Sequence, residues 1–188
     1  MRWDSQNLCD VCWDMLFRST NHIPLTLNGM DKSIAWLEFS EAVKGIMHCV
    51  KFGGGNKLAE AIGYRMARQI AKPEVDIVVP VPLSSKRLYS RGYNQARCIA
   101  LGMSDYWSIP IAEVLKRTTQ GQSQAKLNRD RRLAQSSGRY ICTAWLSGAR
   151  IALVDDTCTT GTTLTACAEQ LYLAGAQHVE GLAVAKGQ

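Results

Sequence analysis

The stretch Ile151-Ala-Leu-Val-Asp-Asp-Thr-Cys-Thr-Thr-Gly-Thr-Thr-Leu164 decides the fold of this chain. Its four apolar residues predict a buried strand of a parallel sheet, and a helical pattern begins near Leu164. Asp155 and Asp156 follow the apolar run, at the sheet edge where open α/β sheets bind ligands. The turn rich in Thr and Gly offers donors to an anion, beside the positive N-terminus of the next helix. Carboxylates beside an anion cradle predict a ligand with hydroxyl and phosphate groups, such as a sugar phosphate.

Strand and helix patterns alternate over the rest of the chain. Further strands are predicted at 34–39, 76–83, 110–115, 139–142 and 178–185, and helices at 41–50, 58–70, 94–103 and 164–174. This alternation predicts an α/β fold with a mostly parallel sheet of about five strands, flanked by helices. Residues 1–32 are expected to form a short N-terminal appendage, and residues 33–188 the main domain.

The composition favours anionic partners. The chain has 188 residues and a formal net charge of +6, which suits phosphorylated metabolites and nucleic acid alike. The first residues lack the apolar core of a signal peptide, and no run of 18 apolar residues predicts a membrane span. Seven scattered cysteines are typical of reduced thiols, so a cytoplasmic location is expected.

Four motifs, in order along the chain, resemble the ComF family, which has a type I phosphoribosyltransferase domain. They are Lys51-Phe-Gly-Gly, the segment 79–95 with its Pro-Val-Pro and Arg-Gly-Tyr-Asn-Gln parts, the segment 123–132, and the stretch quoted above. The resemblance covers roughly residues 34–186. It implies binding of 5-phosphoribosyl pyrophosphate (PRPP) with Mg²⁺, and a fold of the type I phosphoribosyltransferase kind with a short hood.

The resemblance also implies residue roles. Asp155 and Asp156 would be the catalytic residues, holding the ribose hydroxyls partly through Mg²⁺. The 5′-phosphate would be held by Thr157, Cys158, Thr159, Thr160, Gly161, Thr162 and Thr163. The pyrophosphate would be held by the loop residues Leu83, Ser84, Ser85, Lys86 and Arg87, with Arg91. The sequence is equally consistent with Lys86 as a solvated surface charge and with Arg91 as a structural contact. Asn94 and Gln95 could cap the next helix.

The polar segment 117–132 has three interpretations. In related enzymes a flexible segment here closes over the reaction centre, which would give that role to Ser123, Gln124, Arg129 and Arg132. The second interpretation is a solvated basic helix. The third is a nucleic-acid-binding face, which the absence of interleaved aromatic residues disfavours, since single-strand binding usually needs stacking platforms.

Cys9 and Cys12 form a Cys-x-x-Cys pair near the start of the chain. ComF proteins commonly carry an N-terminal zinc ribbon with two such pairs, whereas this chain has one. Structural zinc needs four ligands. The pair would therefore belong to a trimmed zinc ribbon, to a degenerate remnant of one, or to a Zn²⁺ site completed by another chain.

Two functions remain open at the level of sequence. The first is a PRPP-binding phosphoribosyltransferase whose acceptor the sequence does not identify. The second is an accessory protein of competence and DNA uptake, which binds single-stranded DNA or a nucleotide without turnover. Type I relatives often form dimers, so a homodimer is compatible with either function.

Overall fold

A five-stranded sheet forms the centre of the computed structural model, which describes residues 8, 13, 22–52, 54–118 and 139–187. In spatial order the strands are β1 (Ile23–Pro24), β2 (Lys32–Glu38), β7 (His178–Lys186), β6 (Arg150–Cys158) and β3 (Ile77–Pro80). The edge strand β1 is antiparallel to β2, and all other pairs are parallel. The predicted α/β fold with a mostly parallel sheet is confirmed.

Helices cover both faces of this sheet. The described residues contain α1 (Glu41–Phe52), α2 (Asn56–Gln69), α3 (Ser85–Arg91), α4 (Gln95–Trp107) and α5 (Thr162–Leu173). Helices α1, α2 and α4 pack with Ala152, Val154 and Leu182 on one face, and α5 packs with Leu153 and Ala183 on the other. Because both faces are buried, β6 and β7 need apolar residues at nearly every position, as the continuous apolar run predicts.

Helices α2 and α4 cross at very short range. A Cβ atom at Gly63 would overlap the backbone of Ile99, and one at Gly102 would overlap the backbone of Glu60. The crossing fixes α4 against the rest of the domain. The N-terminus of α4, where Asn94 accepts a hydrogen bond from the backbone N–H of Ala96 (3.1 Å), therefore has a rigid support.

Two predictions of local structure are wrong. Residues 82–95 do not form one loop, because α3 occupies Ser85–Arg91, with Ser84 as its N-cap and Gly92 (φ 79°) as a left-handed C-cap. Residues 110–115 do not form a strand of the main sheet. Ile111 makes only an isolated bridge to Val78, and the following residues form β4 (Leu115–Arg117), antiparallel to β5 (Tyr140–Cys142) in a separate two-stranded sheet.

The described part of the predicted appendage joins the sheet edge. Leu25 donates its backbone N–H to the Ser33 carbonyl (2.8 Å), and the Ser33 hydroxyl donates to the Leu25 carbonyl (2.6 Å). The boundary at residue 32 stays a prediction. Several predicted site residues lie outside the described residues, namely Cys9, Cys12, Ser123, Gln124, Arg129 and Arg132. Among the helices that the structure describes, none has the length and apolar character needed to cross a membrane.

Candidate ligand-binding site

A cleft of about 260 Å³ opens at the carboxyl ends of β3 and β6. This is the edge at which parallel α/β sheets bind ligands, as the sequence predicts. Side chains from the sheet, from α1, α3 and α4, and from the β4–β5 pair converge on it. The lining residues are Lys51, Val81, Pro82, Leu83, Arg87, Asn94, Gln95, Ala96, Arg117, Tyr140, Asp155, Asp156, Thr157, Thr159 and Thr163.

The two adjacent carboxylates have different partners, because consecutive side chains on a strand point to opposite faces. Asp156 Oδ2 lies 3.0 Å from Lys51 Nζ at the end of α1, and 3.4 Å from Gln95 Nε2 at the start of α4. The exposed fractions of the Asp156 and Lys51 side chains are 10% and 28%, so this ion pair is largely shielded from water. Asp155 Oδ1 accepts a hydrogen bond from the backbone N–H of Asp156 (2.8 Å).

Asp155 lies in surroundings that disfavour its ionisation. Burial raises its pKa well above the usual range, and the neighbouring Asp156 charge raises it further. The backbone N–H of Asp156 and the Lys51 ammonium act in the opposite direction but do not cancel these effects. The surroundings of Asp155 therefore favour its neutral form more than water does, and a cation or a strong donor in the cleft would favour the charged form.

Two polar atoms of the cleft are buried without a hydrogen-bond partner among the described residues, Gln95 Oε1 and Thr157 Oγ1. Buried polar atoms in native proteins nearly always have a partner, which can be water or a ligand. Both atoms lie on residues beside Asp156. The arrangement thus leaves hydrogen-bonding capacity for a polar ligand next to the carboxylates.

The turn between β6 and α5 contains the residues predicted to hold a phosphate. Thr157 and Cys158 belong to the strand rather than the turn, because β6 continues through Cys158. Thr159 and Thr163 line the cleft, whereas Cys158 is buried in the core. The exposed hydroxyls of Thr160 and Thr162 lie 2.8 Å apart and hydrogen-bond each other. The residues predicted to hold the 5′-phosphate therefore lie in three places, which are the end of β6, the turn after it and the first turn of α5.

Gly161 has a role that the sequence did not predict. Its φ of 75° lies in the left-handed region that favours glycine. A Cβ atom here would also overlap the side chain of Leu27, which comes from the segment before β2. The Leu27 side chain therefore occupies the space in which a Cβ atom of residue 161 would lie.

The residues predicted to hold pyrophosphate are not all at the cleft. Leu83 and Arg87 line it, whereas Ser84 caps α3 and both Ser85 and Lys86 are exposed outside the lining. The Arg91 guanidinium lies 5.0 Å from the centre of the Phe52 ring, which favours the structural tie that the sequence left open.

Sequence reasoning gave no site role to three lining residues, Lys51, Gln95 and Tyr140. Lys51 and Gln95 both lie within motifs that carry the family resemblance, so their chemistry was a usable signal. Tyr140 reaches the cleft on the β4–β5 pair, whose geometry no local pattern predicts. Arg117, the first residue of the segment 117–132, lines the cleft with its guanidinium 5.7 Å from the centre of the Tyr140 ring.

The donor atoms of the cleft suit Mg²⁺ in type but not in number. Asp155 and Asp156 supply the oxygen ligands that Mg²⁺ prefers. No group of three or more His, Cys, Asp or Glu within the described ranges could hold a metal ion alone. A bound Mg²⁺ would therefore need oxygens of a phosphorylated ligand, which is the usual arrangement for this ion. Zinc binding by Cys9 and Cys12 stays a prediction.

Curated relatives of this chain carry names that refer to competence and DNA utilisation. The chain is 32% identical to competence protein F of Haemophilus influenzae over 62% of its own length and 52% of the relative. It is 27% identical to competence protein ComFC of Streptococcus pneumoniae, over 76% and 62% of the two chains. It is 26% identical to the DNA utilization protein YhgH of Salmonella typhi, over 76% and 66%. The chain thus spans about half to two thirds of each relative. No family model matches it.

Solved structures similar to this chain share its fold. A glutamine PRPP amidotransferase from B. subtilis, complexed with ADP and GMP, matches 69% of this chain with a TM-score of 0.51 and 20% identity. A structure described as the allosteric regulatory enzyme of purine biosynthesis matches 69% with a TM-score of 0.51 and 22% identity. This chain covers 26% of each of those proteins. At such identities the similarity establishes the arrangement of strands and helices.

Proposed function

We propose that this chain is a ComF-family protein with a type I phosphoribosyltransferase fold, and that its cleft binds PRPP together with Mg²⁺. The observation that carries the proposal is the position of Asp155 and Asp156. They lie at the carboxyl end of a central parallel strand, beside polar atoms that have no partner among the described residues, and α5 begins after the short turn that follows. Carboxylates accept from ribose hydroxyls, and the helix N-terminus attracts the 5′-phosphate.

Different residues of the cleft would bind different parts of PRPP. Thr159, Thr163 and the first amides of α5 would bind the 5′-phosphate. Arg87 would bind the pyrophosphate, since a guanidinium gives two parallel hydrogen bonds to phosphate oxygens. Asp155 and Asp156 would hold the ribose hydroxyls and Mg²⁺, and Lys51 keeps the Asp156 carboxylate in place. Mg²⁺ would supply charge neutralisation for the leaving pyrophosphate.

The reaction we propose is transfer of the phosphoribosyl group. The bond between ribose C1 and the pyrophosphate oxygen breaks, pyrophosphate leaves with the bonding electron pair, and an acceptor nucleophile forms the new bond to C1. Catalysis would come from positioning and charge stabilisation, because the described part of the cleft holds no side chain arranged as a covalent nucleophile. The acceptor is left open.

Calorimetric titration of the folded protein with PRPP and Mg²⁺ tests binding. We expect saturable heat and a raised Tm for the wild-type protein, and loss of both for the variant with Asp155→Asn and Asp156→Asn. Trp145→Ala is the matched control. This exposed side chain lies beside Gly175, which precedes β7 at the amino ends of the parallel strands, away from the cleft. A folded wild-type protein that shows neither heat nor a Tm change contradicts the proposal.

We also propose a role in DNA uptake or DNA utilisation. The names of the relatives support this role. A deletion strain that takes up and uses DNA as well as the wild type would contradict it.

A further inference from the structure

Helix α3 is unusual because none of its residues is buried. A short helix is marginal in water and normally gains its stability by packing an apolar face. Here the Ser84 and Gly92 caps hold the ends, while Leu88 and Tyr89 both project into solvent. Tyr89 is 95% exposed, the highest value among the exposed large hydrophobic side chains of the described residues. The protein therefore presents an unpartnered helix directly beside its cleft.

Helix α3 is rich in cations. The helix carries Lys86, Arg87 and Arg91 and no acid, and no Asp or Glu occurs anywhere in residues 77–104. The facing end of α1 is similar, since residues 42–59 also lack acids. Glu113 lines a cavity beside Leu88, but it is paired with Arg97 (2.6 Å). Three cations on seven residues therefore give a positive surface that favours a polyanion.

Aromatic rings lie among these cations. Phe52, at the end of α1, is 65% exposed, with the Arg91 guanidinium 5.0 Å from its ring centre and the His48 ring centre 5.0 Å away. Tyr89 is two positions before Arg91 and hence on the opposite side of α3. The cations of α3 thus have exposed aromatic rings beside them, Tyr89 on the same helix and Phe52 from another helix.

We propose that Phe52, Lys86, Tyr89 and Arg91, named here the α3 surface, bind single-stranded nucleic acid. Unpaired bases would stack on the Phe52 and Tyr89 rings, and Lys86 and Arg91 would contact phosphates. Stacking needs bases that are free of a duplex, so the surface selects single strands. The surface is separate from the carboxylates of the cleft. It rests on the DNA-linked role proposed above and not on the identity of the ligand in the cleft.

The path of the strand follows from the geometry. A strand that contacts both rings must pass over α3, whose diameter with side chains is about 10 Å. Arg87 lies on the helix and also lines the cleft, so the same strand would run along the entrance of the cleft. The α3 surface would hold nucleic acid where a terminal or released sugar phosphate could reach Asp155.

Fluorescence anisotropy with a labelled oligodeoxythymidine of about 20 nucleotides tests the proposal, since single-strand sites span roughly 4–16 nucleotides. We expect Phe52→Ala and Tyr89→Ala each to weaken binding about ten-fold, and Tyr89→Phe to retain it. With Lys86 and Arg91 neutralising two phosphates, log K should fall with log salt with a slope of about −1.4. Trp145→Ala, which removes a side chain that is 72% exposed, is the matched control and should bind normally.

The outcomes separate this surface from the cleft. Asp155→Asn should keep the affinity for the oligonucleotide, and Tyr89→Ala should keep the response to PRPP and Mg²⁺. Equal affinity of wild type, Phe52→Ala and Tyr89→Ala for the oligonucleotide would overturn the proposal. So would equal affinity for a duplex of the same length, or binding of an acidic peptide in place of the oligonucleotide. Circular dichroism confirms folding, which substitution at these exposed positions should leave intact.

Discussion

Lys51 Nζ lies 3.0 Å from Asp156 Oδ2 and joins the end of α1 to the carboxyl end of β6. The pair fixes the position of one carboxylate. Its neighbour, Asp155, has no cationic partner at hydrogen-bond distance among the described residues. Lys51 therefore has two functions. It compensates the Asp156 charge in a shielded environment, and it brings positive charge to the cleft.

Replacing Lys51 with Met should destabilise the protein and weaken anion binding. The loss of a partner leaves Asp156 shielded and uncompensated, which we expect to lower the free energy of unfolding by about 1–3 kcal/mol, less than for a fully buried pair. Urea denaturation measures this change. Lys44→Met is the matched control on the same helix, because the Lys44–Glu41 pair is exposed and should contribute less than about 1 kcal/mol. Equal losses for both variants would contradict the role of Lys51.

Asp155→Asn should stabilise the protein at neutral pH. The folded protein holds the Asp155 proton more tightly than the unfolded chain, so ionisation costs stability as pH rises from about 4 through the raised pKa. The amide removes this cost, and each unit of pKa shift corresponds to about 1.4 kcal/mol, or about 4 °C in Tm. Thermal melts of both proteins from pH 4 to 8 check it. The difference in Tm between the two proteins should vanish near pH 4. A Tm difference that is independent of pH would contradict the prediction.

Gly161→Ala should be more damaging than Gly148→Ala, although both glycines have positive φ values of 75° and 82°. A Cβ at Gly148 meets no atom within 4 Å, so its cost is backbone strain of about 1–2 kcal/mol. A Cβ at Gly161 adds the overlap with Leu27. Denaturant titration of the two variants measures the difference. A second substitution, Leu27→Ala, should relieve part of the Gly161→Ala loss, and no relief would show that Leu27 is irrelevant.

Tyr172→Phe should weaken the contact between the segment before β2 and the rest of the domain. Asp31 Oδ2 accepts from the Tyr172 hydroxyl (2.6 Å) and the Val179 backbone N–H (3.0 Å), and these bonds lower the Asp31 pKa. A lowered carboxyl pKa gives stability above the unfolded value that is lost as pH falls through the folded value. Hydrogen exchange of the Val179 amide should accelerate in the variant, and acid should accelerate opening in wild type. Unchanged exchange in Tyr172→Phe would contradict this.

The parts of the fold that the sequence predicted well are those with long apolar runs. Strands β6 and β7 are buried on both faces, so their pattern is nearly continuous and their pairing with the helices follows. Helix α3 could not be found in this way. It has no buried face and hence no periodic pattern, although its Ser84 and Gly92 caps were visible signals.

The carboxylates of the cleft could be predicted, but their environment could not. Lys51 and Asp156 are far apart in the sequence, and only the packing of α1 against the sheet brings them together. The contact of His178 Nδ1 with Asp31 Oδ2 (3.1 Å) is a similar case. Local patterns give the residues that face a site, whereas partners from distant elements depend on the assembled topology.

The position of β7 between β2 and β6 has a consequence for biosynthesis. This strand follows every other described strand in the chain, and the hydrogen bond from Val179 to Asp31 joins residues 148 positions apart. Strands β2 and β6 have no shared neighbour while the ribosome is still producing β7. Their unpaired edges then expose backbone groups that can hydrogen-bond to other chains. The nascent chain must therefore postpone closure of its sheet until β7 has been made, and slow folding of this kind exposes it to aggregation and to chaperone binding.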